Sequence, residues 1–94
     1  MAYKNLLANA TTTLKSSAGI LNRIVINNVG AAGNILTIYD NSAASGTLVG
    51  VVDTVELNGR VLDYRLALNT GLTVVMGTGT AADITVVFDE ENSR

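Results

Sequence analysis

Residues 20–40, Ile-Leu-Asn-Arg-Ile-Val-Ile-Asn-Asn-Val-Gly-Ala-Ala-Gly-Asn-Ile-Leu-Thr-Ile-Tyr-Asp, constrain the fold more than any other stretch. Two short runs rich in β-branched residues are separated by a segment holding Asn28, Gly30, Gly33 and Asn34. Runs of this kind, bounded by Gly and Asn, read as strands joined by a turn or loop. Residues 29–34 are too many for a two-residue hairpin, so they form either an open loop or a connection crossing between two sheets. In the first run Ile20, Asn22, Ile24 and Ile26 alternate with Leu21, Arg23 and Val25. Both sets are mostly apolar, which predicts a central strand or one covered on both sides.

The pattern recurs along the chain. Residues 10–16, with Thr11, Thr12, Thr13 and Leu14, read as a strand, as do residues 35–40, 72–76 and 84–88. Residues 48–57 and 60–68 flank Asn58-Gly59. An Asn-Gly pair between alternating runs is a strong local signal for a two-residue hairpin, because both central residues of a type I′ turn need positive φ. The implied register sets Val51 opposite Leu66, Asp53 opposite Tyr64 and Val55 opposite Leu62. It gathers Val51, Val55, Leu57, Leu62, Tyr64 and Leu66 on one face, and a one-residue slip would turn that set to water. About seven short strands and no convincing helix predict an all-β chain. The architecture expected is a small antiparallel β-sandwich, with a jelly-roll-like arrangement among its forms. Residues 1–9 read as an N-terminal arm, residues 10–88 as the sandwich domain and residues 89–94 as an acidic C-terminal tail.

Composition narrows the chemistry. The 94 residues contain no Cys, His, Pro or Trp. Disulfides and thiolate metal sites are excluded, and the commonest general base and metal ligand is missing. Without Pro, edge strands need some other protection. The charge is −2, and the six basic residues are scattered rather than striped, which disfavours nucleic acid. No apolar run is long enough for a membrane span or a secretory leader. Charged residues make up only 15% of the chain against 48% hydrophobic. A domain this small has little interior, so part of its surface is expected to be buried against copies of itself or a partner.

Motif tests return loops and turns. Gly77-x-Gly79-x-x-Ala82 follows an apolar strand, but strand material comes next, whereas a phosphate cradle needs a helix. Asp53-Thr54-Val55 lacks the glycine of an aspartic-protease motif. Lys4 and Lys15 are the only bases available to a Ser or Thr nucleophile. Asp40 with Asn41, or Asp89-Glu90-Glu91, lacks a recognisable calcium spacing; an Asx-turn and a solvated tail are the simpler readings. Asn9-Ala10-Thr11 is a formal glycosylation sequon without a leader to give it meaning. The expectation is a chain that is not an enzyme and has no cofactor and no metal site.

The run Gly19-Ile-Leu-Asn-Arg-Ile-Val-Ile-Asn resembles a group of small virion proteins of tailed bacteriophages. So do Gly30-Ala-Ala-Gly-Asn-Ile-Leu-Thr-Ile-Tyr-Asp-Asn, Ser45-Gly-Thr and the ending from Thr70 to Phe88. The resemblance covers most of residues 14–88 and consists of strands and turns rather than a catalytic signature. It implies a β-sandwich structural protein, foremost a capsid decoration or cement protein. Its partners would be copies of itself, as a trimer by analogy, and the major capsid protein, with assembly in the host cytoplasm. Alternatives are a tail, neck or fibre module with few copies per particle, and a module binding a ligand or host glycan. The contact residues expected are Leu6 and Leu7 on the arm and the loop tips at Ala31 and Ala43.

Overall fold

The structure, a computed structural model, describes residues 2–31, 33–54 and 61–90, the side chain of Glu90 excepted. Its strands are β1 (Ala2–Leu6), β2 (Ala10–Lys15), β3 (Gly19–Asn28), β4 (Ile35–Asp40), β5 (Thr47–Asp53), β6 (Val61–Leu68), β7 (Leu72–Gly77) and β8 (Asp83–Glu90). They form two four-stranded sheets: sheet I in the order β1-β8-β3-β6 and sheet II in the order β2-β7-β4-β5. All pairings are antiparallel. Only β4 and β5 are consecutive strands of one sheet; every other connection crosses from sheet to sheet. This is the jelly-roll form of the expected sandwich. No helix among the described residues is long and apolar enough to cross a membrane.

The core lies between the sheets. Leu21, Ile24, Ile26, Ile84 and Val86 of sheet I meet Leu36, Ile38, Leu72, Val74 and Met76 of sheet II, all essentially without exposure. Residues 29–34 are the crossing connection, because β3 and β4 lie in different sheets.

The two apolar faces of β3 have a specific cause. The strand is central, but its register against both β6 and β8 shifts between Leu21 and Arg23. Against β8 the extra residue is Asn22, a β-bulge, which changes the phase of a strand without ending it; against β6 the extra residue lies on β6, where Arg65 has positive φ. Leu21 therefore joins Ile24 and Ile26 in the core, and Ile20, expected to share their face, is half-buried on the other side. The bulge is tied to the neighbouring strand by Asn22 Nδ2 donating to Asp89 Oδ2 at 2.7 Å.

The expected hairpin between residues 48–57 and 60–68 is corrected. β5 belongs to sheet II and pairs with β4, whereas β6 belongs to sheet I and pairs with β3. Val51 lies opposite Thr37, not Leu66, and Asp53 opposite Ile35, not Tyr64. The Asn58-Gly59 turn itself lies outside the described residues. The hairpin register would have set the Asp53 carboxylate on the apolar face, a costly burial without a partner. The observed pairing leaves Asp53 at the end of β5 and sets Asp63 beside Arg23.

The N-terminal stretch read as an arm contains β1, the edge strand of sheet I, which pairs with β8 from Ala2↔Phe88 to Leu6↔Ile84. Among the described residues the strand count is accordingly eight. Residues 91–94 of the expected acidic tail lie outside the described residues, and Asp89 belongs to β8.

The bulge makes a prediction about phase. Leu21→Ala should cost about 2–5 kcal/mol as a cavity-forming core truncation. Ile20→Ala should cost about 1 kcal/mol or less. Urea unfolding of the two variants measures this, and equal losses would mean that the bulge does not set the phase.

Candidate assembly surface

Crossing connections gather at the two ends of the sandwich, and each end is closed by one polar side chain. At the first end this is Asn34, which is fully buried. Its Nδ2 donates to Asn9 Oδ1 at 2.9 Å, to Thr78 O at 2.8 Å and to Gly77 O at 3.2 Å. Its Oδ1 accepts from Thr54 Oγ1 at 2.9 Å and from Ala82 N at 3.3 Å. Its carbonyl accepts from Thr54 N at 3.0 Å. One amide thus joins the β1–β2 loop, the β3–β4 loop, the residue after β5 and the β7–β8 loop. Ala31 and Thr80 add a reciprocal main-chain pair beside it.

At the other end Asp40 closes β4. Its carboxylate accepts main-chain N–H groups from Asn69, Thr70 and Gly71 at 2.9–3.3 Å. Desolvation raises the carboxyl's pKa, but these three bonds outweigh it and hold the pKa below the usual value. Next to it, Asn41 Oδ1 accepts from Ser42 N, and its Nδ2 donates to Ser45 O, both at 2.8 Å. The Asp40–Asn41 pair is therefore committed to binding its own backbone.

The other motif residues are placed just as plainly. Thr54 is buried on Asn34, and Asp53 is half-buried at the end of β5. Gly77 and Gly79 lead into β8, a strand. Among the described residues, no three His, Cys, Asp or Glu side chains converge as a metal site would require. Every buried side-chain nitrogen and oxygen among them has a hydrogen-bond partner. Leu6, expected as a contact residue, is buried in the core. Leu7 is exposed beside it. Ala31 and Ala43 are exposed, but they lie in the β3–β4 and β4–β5 loops, at opposite ends, and form no common patch.

What the structure does bring together is a face. The outward side of sheet II consists of three cross-strand rows. Thr13, Thr73, Tyr39 and Leu48 form one, in which Thr73 is itself buried; Thr11, Val75, Thr37 and Val51 form the next; Gly77, Ile35 and Asp53 form the last, where β4 begins and β5 ends. The strands of sheet II carry three charged residues, all at strand ends: Lys15, Asp40 and Asp53. Lys15 is buried, with its stem against Gly19, and Asp40 is held by backbone N–H groups. The middle of the face is free of charge.

Sheet I is dressed differently. Its outward rows include Tyr3, Val87, Arg23 and Asp63, then Asn5, Thr85, Val25 and Val61. Asn5 Nδ2 donates to Asp83 Oδ1 at 2.7 Å, Asn27 Nδ2 to Thr85 Oγ1 at 2.9 Å, and Arg65 Nε to Asp63 Oδ1 at 3.2 Å. Thus a charged, hydrogen-bonded face and an uncharged face lie on opposite sides of one small domain.

The side formed by β5 and β6 is also apolar. These strands are edges of their sheets and lie next to each other across the sandwich, because the Tyr64 hydroxyl lies 2.7 Å from where a Cβ on Gly50 would be. Burial pushes the Tyr64 phenol pKa up. Among the described residues, four of the six exposed large apolar ones, Leu48, Val51, Val61 and Leu66, lie on these two strands. Sequence reading missed both the Asn34 knot and the uncharged face. Both depend on which strands become neighbours, although the confinement of Lys15, Asp40 and Asp53 to strand ends was visible.

No family model, curated protein or solved structure matches the chain.

Two predictions concern the ends. Asn34→Ala strands buried partners on several loops and should cost about 1–3 kcal/mol or more, read by urea unfolding. Asp40 has a depressed folded-state pKa, so its contribution is present above the unfolded value and is lost as pH falls through the folded one. The stability difference between wild type and Asp40→Asn should therefore shrink between about pH 7 and about pH 3. A difference that stays constant with pH would mean that the carboxylate charge does not hold the β6–β7 turn.

Proposed function

We propose that this protein is a non-enzymatic structural subunit of a bacteriophage virion, acting as a capsid decoration or cement protein. The observation that carries the reading is the uncharged outward face of sheet II. A free, solvated sheet face is normally polar and charged, and a contiguous uncharged patch marks an interaction site. The core of such an interface is depleted of charge, as this face is. Threonine hydroxyls on it are partly engaged already: Thr13 Oγ1 lies 3.1 Å from Thr73 Oγ1, and the buried Thr73 donates through Oγ1 to Asn41 O of the β4–β5 loop at 2.9 Å. Covering these groups therefore strands few donors.

On this reading the face packs on the capsid shell and sheet I faces the solvent. Cementing needs no reaction. It needs a rigid body, many copies and apolar area removed from water at subunit boundaries, and repeated weak contacts add through multivalency. The resemblance to small tailed-phage virion proteins supplies the partner, the major capsid protein.

Two measurements test this. The protein's ratio to the major capsid protein in purified particles should be near unity. A handful of copies would assign it to tail, neck or fibre, and complete absence would overturn the virion reading. Thr37→Lys and Val75→Lys place a charge in the middle of the face and should each weaken attachment to stripped particles by about tenfold. Full retention by both variants would remove sheet II as the docking face.

A further inference from the structure

We propose that the chain pairs with a second copy of itself through the exposed edge of β5, antiparallel about Val51, so that two sheets II join into one. The edge of a sheet offers unpaired N–H and C=O groups, and proteins protect such edges with charge, proline or cover. β5 has no proline and no charge from Thr47 to Val52. The opposite edge of sheet I, by contrast, carries Lys4 in the middle of β1. A bulge bends β5 at Val49, but residues 50–53 beyond it pair in regular register with residues 35–38. The edge therefore offers a regular uncharged segment, Gly50–Val52, closed by Asp53, with Val51 60% exposed. Val61 and Leu66 on β6 extend the apolar strip onto the neighbouring edge.

Three features favour a second copy as the occupant. A two-fold axis through the edge makes an isologous contact and runs the two β5 strands antiparallel, as all the native pairs run. Centring on Val51 sets outward residues beside outward residues and keeps the two Asp53 carboxylates at opposite ends, away from like-charge opposition. The charges on β6 are Asp63 and Arg65, one of each sign and side by side, which a two-fold copy can match.

Area is the third feature. Four strands spaced ~4.8 Å apart and six residues rising ~3.3 Å each make a sheet face of about 400 Å². A stable interface buries roughly 800 Å² per partner. Edge pairing sets two uncharged faces side by side and brings the joint face to that size. The area argument rests on sheet II being the docking face proposed above; the edge argument does not.

Sedimentation equilibrium of the full chain tests the pairing. The wild type should form a dimer. Val51→Lys and Leu66→Lys should each raise the dissociation constant by about tenfold or more, while Thr11→Lys, on the opposite edge of sheet II, should not. Circular dichroism and a thermal melt report whether each variant still folds. Because the chain has no cysteine, Val51→Cys gives a second readout that needs no disruption of the edge. Under mild oxidation it should cross-link to a covalent dimer much faster than Thr11→Cys. A monomeric wild type, a trimer indifferent to Val51→Lys and Leu66→Lys, or equal cross-linking at the two cysteines would overturn the proposal. A dimer that pairs as described but occurs in no particle would leave this inference standing and remove the virion reading instead.

Discussion

The fold depends on the burial of one apolar layer between two sheets whose strands are almost never sequence neighbours. Only β4 and β5 pair as consecutive strands. Every other pairing brings together distant parts of the chain, so loop-closure entropy opposes it until the core forms. Leu21, Ile24, Leu36, Ile38, Leu72, Val74, Ile84 and Val86 supply that core. What packing cannot do is hold the loops at the ends. Asn34 does this at one end by gathering three loops and the residue after β5, and Asp40 does it at the other by binding the β6–β7 turn. A rigid domain held at both ends can present a flat face without that face contributing to stability.

That freedom shows in where the charges are. Lys15, Asp40 and Asp53 lie at strand ends on sheet II, and its middle carries Thr, Val, Leu and Tyr. Sheet I carries Arg23, Asp63, Arg65, Asp83 and Asp89 with their amide partners. Nothing in the packing of the core requires this segregation, because outward positions on either sheet could hold charge. It makes sense for a domain that keeps one side wet and covers the other. The lack of proline points the same way, since an edge that meets a partner needs no blunting.

Much of this was legible in the sequence, because β-branched runs between Gly and Asn clusters are a local signal. Residues 20–27, 35–40, 72–76 and 84–88 read directly as strands. Three features were not legible, each for a physical reason. Asn58-Gly59 signals a hairpin locally, but β5 pairs with β4 and β6 with β3, because long-range packing decides strand partners. The phase of β3 is reset by a bulge at Asn22, which leaves no mark in an alternating pattern with two apolar sets. The residues of β1 have weak strand character on their own and become a strand because β8 offers them an edge. Asn34 looked like one more loop asparagine, since its role requires Asn9, Thr54, Thr78 and Ala82 to converge.

The chain contains its own probes for the central claim. Tyr39 lies on the outward face of sheet II and Tyr3, 73% exposed, on the outward face of sheet I. Hydroxyl-radical footprinting by mass spectrometry, on the free protein and on protein attached to particles, reads both in one sample. If sheet II is the covered face, attachment protects Tyr39 and its neighbours Leu48 and Val51 and leaves Tyr3 as reactive as before. Protection of Tyr3 with Tyr39 unchanged would contradict the account, because the charged face would then be the one that docks.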